Sequence, residues 1–291
     1  MDFFSVDGRQ FYRIGRWLRI CGLAAAWYET VENPEALGSS LKKSGQRLDL
    51  FTFFQRVPHV EPKYNYYKEP YSVSVIKLTR YEDWYHHLIG KNTQRKIKKA
   101  KKEGVEIRVV DFDEKLVEGI RHIYNETPIR QDRIFPHYND SLDKVRQENG
   151  TFLDRSVFLG AYYRDNLIGY AKIIFEEDFA DLLQLLSMVS HRDKCTTNAL
   201  LDRAVDLCAA RGAGYLAYGD WNATGLGDFK RNNGFARMDL PRYYIPLSRM
   251  GALALRWGLH RKASDWIPAR MVPALKALRR RWLELTIKGA G

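Results

Sequence analysis

The stretch ADLLQLLSMV, residues 180–189, is apolar at nearly every position. A short run of that kind reads as a strand buried on both faces, within a sheet that helices cover on both sides. After SHRDKC comes TTNALLDRAVDLCAARG, where Leu201, Ala204, Val205 and Cys208 share one helical face and Gly212 marks the end. GYLAYGDW then reads as a second strand. Strand, amphipathic helix and strand in succession imply a parallel pair joined by a right-handed crossover. Strands at 182–189 and 215–219 are therefore predicted to be adjacent and parallel, in a mixed sheet with helices on its faces.

The flanking segments extend the pattern. RYEDWYHHLI reads as a helix. Asn92 or Thr93 is predicted to cap a second helix, TQRKIKKAKKE, which stops at Gly104. VEIRVV alternates as a strand, and Asp111 or Asp113 caps EKLVEGIRHIYNE, with Leu116, Ile120 and Ile123 as its apolar stripe. TPIRQDRIFPHYND is a polar, proline-bounded loop, and SLDKVRQEN a short helix. SVFLGAYY and LIGYAKIIF form a hairpin about Arg164–Asn166. GLGDFKRNNG is a short helix and FARMDLPRYYIPL a last strand. Residues 1–78 are aromatic-rich and carry no readable role, although YSVSVIKL alternates like a strand. The pattern divides the chain into an N-terminal region 1–90 packed on a core 91–248, with a basic helical tail 249–291 broken at Pro268 and Pro273.

The 291 residues carry a formal charge of +12, and its distribution is uneven. Ten Lys/Arg against two acids give +8 from Arg249 onward, and seven Lys/Arg with no acid lie between Lys91 and Lys102. Two basic patches suit anionic partners such as phosphates, lipid headgroups or RNA; the plain alternative is a solvated face. Cys21, Cys195 and Cys208 are too few and scattered for a disulfide framework, and no CxxC suggests a metal site. No run of eighteen apolar residues and no signal-peptide layout are present, so a cytoplasmic protein without resident metal or cofactor is expected. In the tail, Trp257, Trp266 and Trp282 alternate with arginines, which suits a helix lying on an anionic membrane surface or packed on the core through its tryptophans.

Three stretches resemble the GNAT superfamily of N-acyltransferases, more narrowly its Fem-type branch. They are NTQRKIKKAKKEGVEI, the hairpin FLGAYYRDNLIGYAKIIF with LLQLLSMVSHRDKCTTNALLDRAV, and LGDFKRNNGF, which is similar to the FK…GF signature of that branch. The resemblance implies acyl or aminoacyl transfer to an amino group, with acyl-CoA or aminoacyl-tRNA as co-substrate and an envelope or lipid-linked precursor as acceptor. One departure stands out: SHRDKCTTNA lacks the glycines of the usual pyrophosphate cradle.

Direct transfer needs an oriented carbonyl, a stabilised oxyanion and a proton acceptor, and no Ser-His-Asp or Cys-His layout offers a covalent nucleophile. Lys230, carried over from the FK signature, is the candidate for oxyanion or phosphate; Tyr218 and Asp220, next to each other at the end of the strand GYLAYGDW, are further catalytic candidates. Otherwise Lys230 is an exposed helix lysine and Asp220 a turn cap. For the donor, Arg192 and Lys194 add charge at the helix start Thr196, Thr197 and Asn198, whose free N–H groups suit an anion. Arg130, Arg133, His137 and Tyr138 make the polar loop an acceptor site, with Gln184 as an orienting amide. His191 is a weaker candidate. A non-catalytic RNA-binding or membrane-adaptor module is the competing reading. An enzyme requires the two parallel strands to splay onto a cleft at the Thr196 helix end. On the sequence alone, Lys230→Met is expected to lower kcat about a hundredfold with folding little affected.

Overall fold

The computed structural model describes residues 1–130, 133–221 and 225–261. The elements in chain order are β1 (Asp2–Val6), β2 (Arg9–Ile14), β3 (Ile20–Leu23), α1 (Pro34–Lys43), β4 (Leu50–Phe54), β5 (Tyr67–Lys77), α2 (Tyr81–Asp83, continued by a π turn Trp84–Leu88) and α3 (Lys91–Lys102). There follow β6 (Glu106–Val110), α4 (Glu114–Tyr124), the short β7 (Ile129–Arg130) and β8 (Arg133–Ile134), α5 (Leu142–Asn149), β9 (Ser156–Tyr163), β10 (Asn166–Phe175) and β11 (Ala180–Ser187). The chain continues through α6 (Thr196–Ala210), β12 (Tyr215–Asp220), α7 (Gly225–Asn232), β13 (Ala236–Pro246) and α8 (Arg249–Arg256). Contacts divide it into two units: Met1–Phe54, Tyr64–Glu69 and the chain from Arg242, and Gln55–Lys63 with Pro70–Pro241. Two of these boundaries fall inside β5 and β13.

In the first unit the strand order is β1-β2-β3-β4-β13, antiparallel except for the parallel pair β3–β4. Its core is aromatic: Phe11, Phe51, Phe53 and Tyr243 are buried, with Phe53 stacked on Tyr243 at 5.1 Å. The aromatic residues of the N-terminal segment thus build their own hydrophobic centre.

The second unit orders its strands β5-β12-β11-β10-β9-β6. β11 and β12 are adjacent and parallel with α6 as the crossover, as their pattern predicts. YSVSVIKL is the strand beside β12. Both faces are covered: α3 and α6 bury Ile97, Ala100, Leu201, Ala204 and Val205 against Leu159, Ala171 and Ile173, while α4 and α5 bury Ile120, Ile123 and Val145 against Phe158 and Tyr170. Successive residues of one strand entering different cores is the period-2 alternation of a sheet with two dry faces.

Local signals succeed where the group acts locally. Asp113 caps α4 and Ser141 caps α5 through their side chains. Thr93 does not cap α3; the helix starts earlier, after Gly90, and the buried Thr93 hydroxyl donates to the carbonyl of Asn232 at 2.8 Å. Lys172 on β10 is fully buried, and its ammonium donates to the carbonyls of Asn149 at 2.7 Å and Thr151 at 2.5 Å, closing the end of α5. Burial pushes that amine down to about 8. Of the tail, α8 is described; Pro268, Trp266, Pro273 and Trp282 lie outside the described residues.

Gly169 on β10 lets the start of α6 approach the sheet. A Cβ there would stand 3.0 Å from the Leu186 carbonyl oxygen and 3.1 Å from Thr196 Cγ2. Gly169→Ala is therefore expected to cost about 1–3 kcal/mol through overpacking, read by urea denaturation. An unchanged midpoint would show that the helix start has room to move.

Candidate functional site

The site begins where the sheet opens. The parallel ladder of β11 and β12 pairs Ala180 with Leu216 and Asp181 with Ala217, and then ends. Both strands are irregular just beyond. β11 shifts register against β10 at Leu183, which lies between paired Leu182 and Gln184, and β12 shifts against β5 between Ala217 and Asp220. Each bulge bends its strand, and together they coincide with the parting of the pair. The expected splay is therefore present. Leu183 departs from the expectation of a strand buried at every position: the bulge leaves it 37% exposed.

Lys230, Tyr218 and Asp220 converge here, though not as an array of exposed side chains. Lys230 is only 2% exposed, which overturns the plain reading of an exposed helix lysine. From α7 its ammonium donates to the backbone carbonyl of Tyr218 and, at 2.8 Å, to that of Asp220, and it lies 4.6 Å over the Tyr218 ring. Burial drives the Lys230 amine down to about 8, against the opposing pull of Asp220 and Asp181. Tyr218 is pushed up to about 12 by burial, so its hydroxyl keeps its proton. The Asp220 carboxylate is exposed and accepts from the Tyr71 hydroxyl at 2.5 Å. Lys230 thus ties α7 to the bulge of β12.

The start of α6 forms the second wall. Cys195 takes the left-handed conformation, φ 56°, and caps the helix without a side-chain bond. Among the described residues, the N–H groups of Thr196 and Thr197 have no backbone partner, and the buried Thr196 Oγ1 has none either. The other donor candidates have intramolecular roles. The Thr197 hydroxyl meets Ser187 Oγ at 2.8 Å, and the Asn198 amide donates to Asn233 Oδ1 at 3.0 Å. Lys194 lies 3.5 Å from Asp193, 3.9 Å from Glu103 and 4.4 Å over the Tyr163 ring, whereas Arg192 is exposed. His191 packs edgewise on Tyr163 beside Ser190.

The loop before α6 already holds an anion, supplied by the chain. Glu126 accepts from the backbone N–H of Val189 at 2.6 Å and of Ser190 at 2.7 Å, and pairs with Arg130 at 3.2 Å. Burial pushes this carboxyl up, but the bonds from Ser190 and Val189 and the charge of Arg130 outweigh it, so it titrates below its ordinary range. Arg130, expected to bind an acceptor, is a brace: it donates to the carbonyls of Ser187 at 2.8 Å and Ile123 at 2.6 Å and stacks over Phe135. His137 is not brought to the strand opening. It stacks on Tyr124 at 4.9 Å and clusters with Asp140 and Glu148, their ligand atoms within 4.8 Å of one another, with Lys144 held 2.6 Å from Asp140 as countercharge. Arg133 and Tyr138 remain exposed, and Gln184 is half-buried on β11 beyond the last pair with β12.

Beside α6 runs α3, in contact with it. Thr93, Ile97 and Ala100 face inward, while Lys91, Arg95, Lys96, Lys98, Lys99, Lys101 and Lys102 are exposed and make no ion pair among the described residues. The helix C-cap is Glu103, the residue near Lys194, so the basic face leads to the start of α6.

Glu126, Asn233 and Tyr71 are the positions in this region that sequence reasoning missed. Asn233 joins α6 to α7 and accepts the Trp84 indole N–H on its carbonyl at 2.9 Å. Glu126 and Tyr71 sit in no motif and Asn233 lies inside FKRNNGF, and each acts on a partner distant in sequence.

The geometry revises the expectation for Lys230→Met. Its loss strips the Tyr218 carbonyl of a buried donor, so a destabilisation of about 1–3 kcal/mol is expected in addition to any loss of rate. The folded amine titrates at about 8 and the unfolded one at 10.5, so the unfolded chain binds more protons between these values. Stability of the unmodified protein relative to the variant should therefore rise as pH goes from about 8 toward 10.5. Chemical denaturation across that window measures it; a pH-independent difference would place the amine in water.

No family model and no curated protein sequence matches the chain. Solved structures do. FemX superposes with TM-score 0.57 at 11% identity, over 80% of this chain and 83% of that one. The lysylphosphatidylglycerol synthetase L-PGS from Bacillus licheniformis gives 0.56 at 13%, over 87% and 88%. The C-terminal DUF2156 domain assigned to such a synthetase in Agrobacterium fabrum gives 0.58 at 13%, over 87% and 86%. With the parallel pair, its α6 crossover and the split ladder already established, the chain has a GNAT-like fold of the Fem type.

Proposed function

We propose that the protein is an aminoacyltransferase that moves the aminoacyl group of an aminoacyl-tRNA directly to an amino group, on an envelope or lipid-linked precursor. The observation that carries this reading is the parting of β11 from β12 beside the α6 terminus. Beyond Asp181 the edge of β11 that faced β12 has no ladder partner, and unpaired backbone groups there supply donors for a developing oxyanion. In the reaction the acceptor nitrogen attacks the ester carbonyl, a C–N bond forms, and the C–O bond to the ribose breaks. The proton lost from nitrogen ends on the departing ribose oxygen. The exposed Asp220 carboxylate is our choice to relay it, and Lys230 acts by holding the strand end in place.

Two features favour tRNA over acyl-CoA as donor. The N–H groups of Val189 and Ser190, where a pyrophosphate would seat, are occupied by Glu126. The broad exposed face of α3 presents seven cations, which suits a polyphosphate backbone rather than one small cofactor. The Thr196 and Thr197 N–H groups then receive a phosphate near the acceptor end.

The test uses binding and discharge together. Aminoacyl-tRNA should bind with an affinity that falls steeply with salt, about 0.7–0.9 in log K per log salt for each phosphate contact. Lys98→Glu with Lys101→Glu should weaken binding at least tenfold and flatten that slope, while CoA at millimolar concentration competes poorly. Labelled aminoacyl-tRNA should lose its ester to an amine acceptor only when the protein is present. Tight CoA binding would reverse the donor assignment, and tRNA binding without discharge would leave an RNA-binding module.

A further inference from the structure

The other basic segment serves a different surface. α8 is held firmly on the first unit. Ser248 caps it by accepting from the Gly251 N–H at 3.1 Å and donates to Asp49 Oδ1 at 2.7 Å. Gly251 packs against the Asp49 carbonyl so closely that a Cβ would stand 1.9 Å from it. Ala254 is buried beside it. Past the helix, the buried His260 sits 3.2 Å from Glu69 Oε1, and Arg261 donates to the same oxygen at 2.9 Å. One face of α8 is thereby fixed inward, and the opposite face is fixed outward.

One side of the exposed surface is apolar. Met250, Leu253 and Trp257 follow the i, i+3, i+7 spacing and are 54%, 44% and 63% exposed, and Leu259 adds 56%. Arg249 and Arg256 are exposed along one border, and no acid occurs between Arg249 and Arg261. An apolar stripe edged by cations is the arrangement of a helix that lies in a membrane interface, with its side chains among acyl chains and its arginines among headgroup phosphates. No helix of the described residues is long and apolar enough to cross a membrane. We infer that α8 docks the protein on an anionic lipid surface, with Met250, Leu253 and Trp257 inserted and Arg249 and Arg256 on the headgroups.

A second copy is a poorer occupant, because a two-fold contact through this stripe would bring the border arginines of two cationic chains together. RNA is poorer too, since the stripe of Met250, Leu253 and Trp257 offers no charged partner for phosphate. The +8 carried from Arg249 onward adds long-range attraction to anionic lipid that salt screens within about 10 Å at 0.1 M. This inference is independent of the donor assignment.

The experiment is sedimentation of the full-length chain with vesicles of phosphatidylcholine alone, or of equal parts phosphatidylcholine and phosphatidylglycerol. Binding is expected to the mixed vesicles and not to the neutral ones, and to weaken as salt rises. Leu253→Glu and Trp257→Glu alter exposed side chains and should each lower partitioning at least tenfold with unchanged melting. Arg249→Glu with Arg256→Glu should do so most strongly at low salt. Equal binding to neutral vesicles would overturn the electrostatic half of the inference. Binding unaffected by the Leu253 and Trp257 changes would overturn the role of α8. A dimer seen by light scattering and dissolved by Leu253→Glu would give the face to a second copy instead.

Discussion

Two parallel strands that part after two residue pairs leave a line of backbone groups with no partner in either strand. In a buried sheet such groups must be satisfied or exposed to solvent or ligand. The chain resolves this asymmetrically. On β12 the Tyr218 and Asp220 carbonyls are taken by Lys230, with Ser74 as a further donor to Asp220, and the Trp221 N–H returns to the Ser72 carbonyl. On β11 the stretch beyond Asp181 has no such filling on the β12 side. One lip of the opening is closed by the protein's own groups and the other has no ladder partner.

Buried lysines recur as the means of closing backbone. Lys230 caps the bulge of β12, and Lys172 caps the end of α5. Burying an ammonium is expensive, and carbonyl acceptors offset only part of the lost hydration, so both amines are pushed down to about 8. A neutral amine still donates two hydrogens, so either carbonyl pair can be held on both sides of that titration. The Glu126–Arg130 pair works in the opposite sense, placing a carboxylate on two N–H groups of the loop that leads into α6. It occupies the loop N–H groups, whereas those of Thr196 and Thr197 at the helix start have no backbone partner among the described residues.

Charge is segregated by the kind of surface it accompanies. On α3 the inward residues are few and the outward face is polar and mostly cationic, which suits a polyanion with no apolar content. On α8 one side of the exposed surface is apolar with cations only at its border. Both segments add to the same net charge, yet they differ in what they exclude: the first has nothing to insert in lipid, and the second has little to offer a phosphate chain.

Sequence alone determined the local order of this protein. Hydrophobic period and strand length placed β6, the β9–β10 hairpin, β11, α6 and β12, and the crossover rule made β11 and β12 parallel, because side-chain alternation and loop connection are properties of short segments. The cap at Asp113 was legible for the same reason. The tertiary structure decided what the charged groups do. Lys230 meets carbonyls rather than solvent, Arg130 braces a loop rather than facing an acceptor, and Glu126 occupies N–H groups more than sixty positions away in the chain. Each of these depends on where a ladder ends and where a bulge falls. That is set by register between distant strands, which no local pattern of residues encodes.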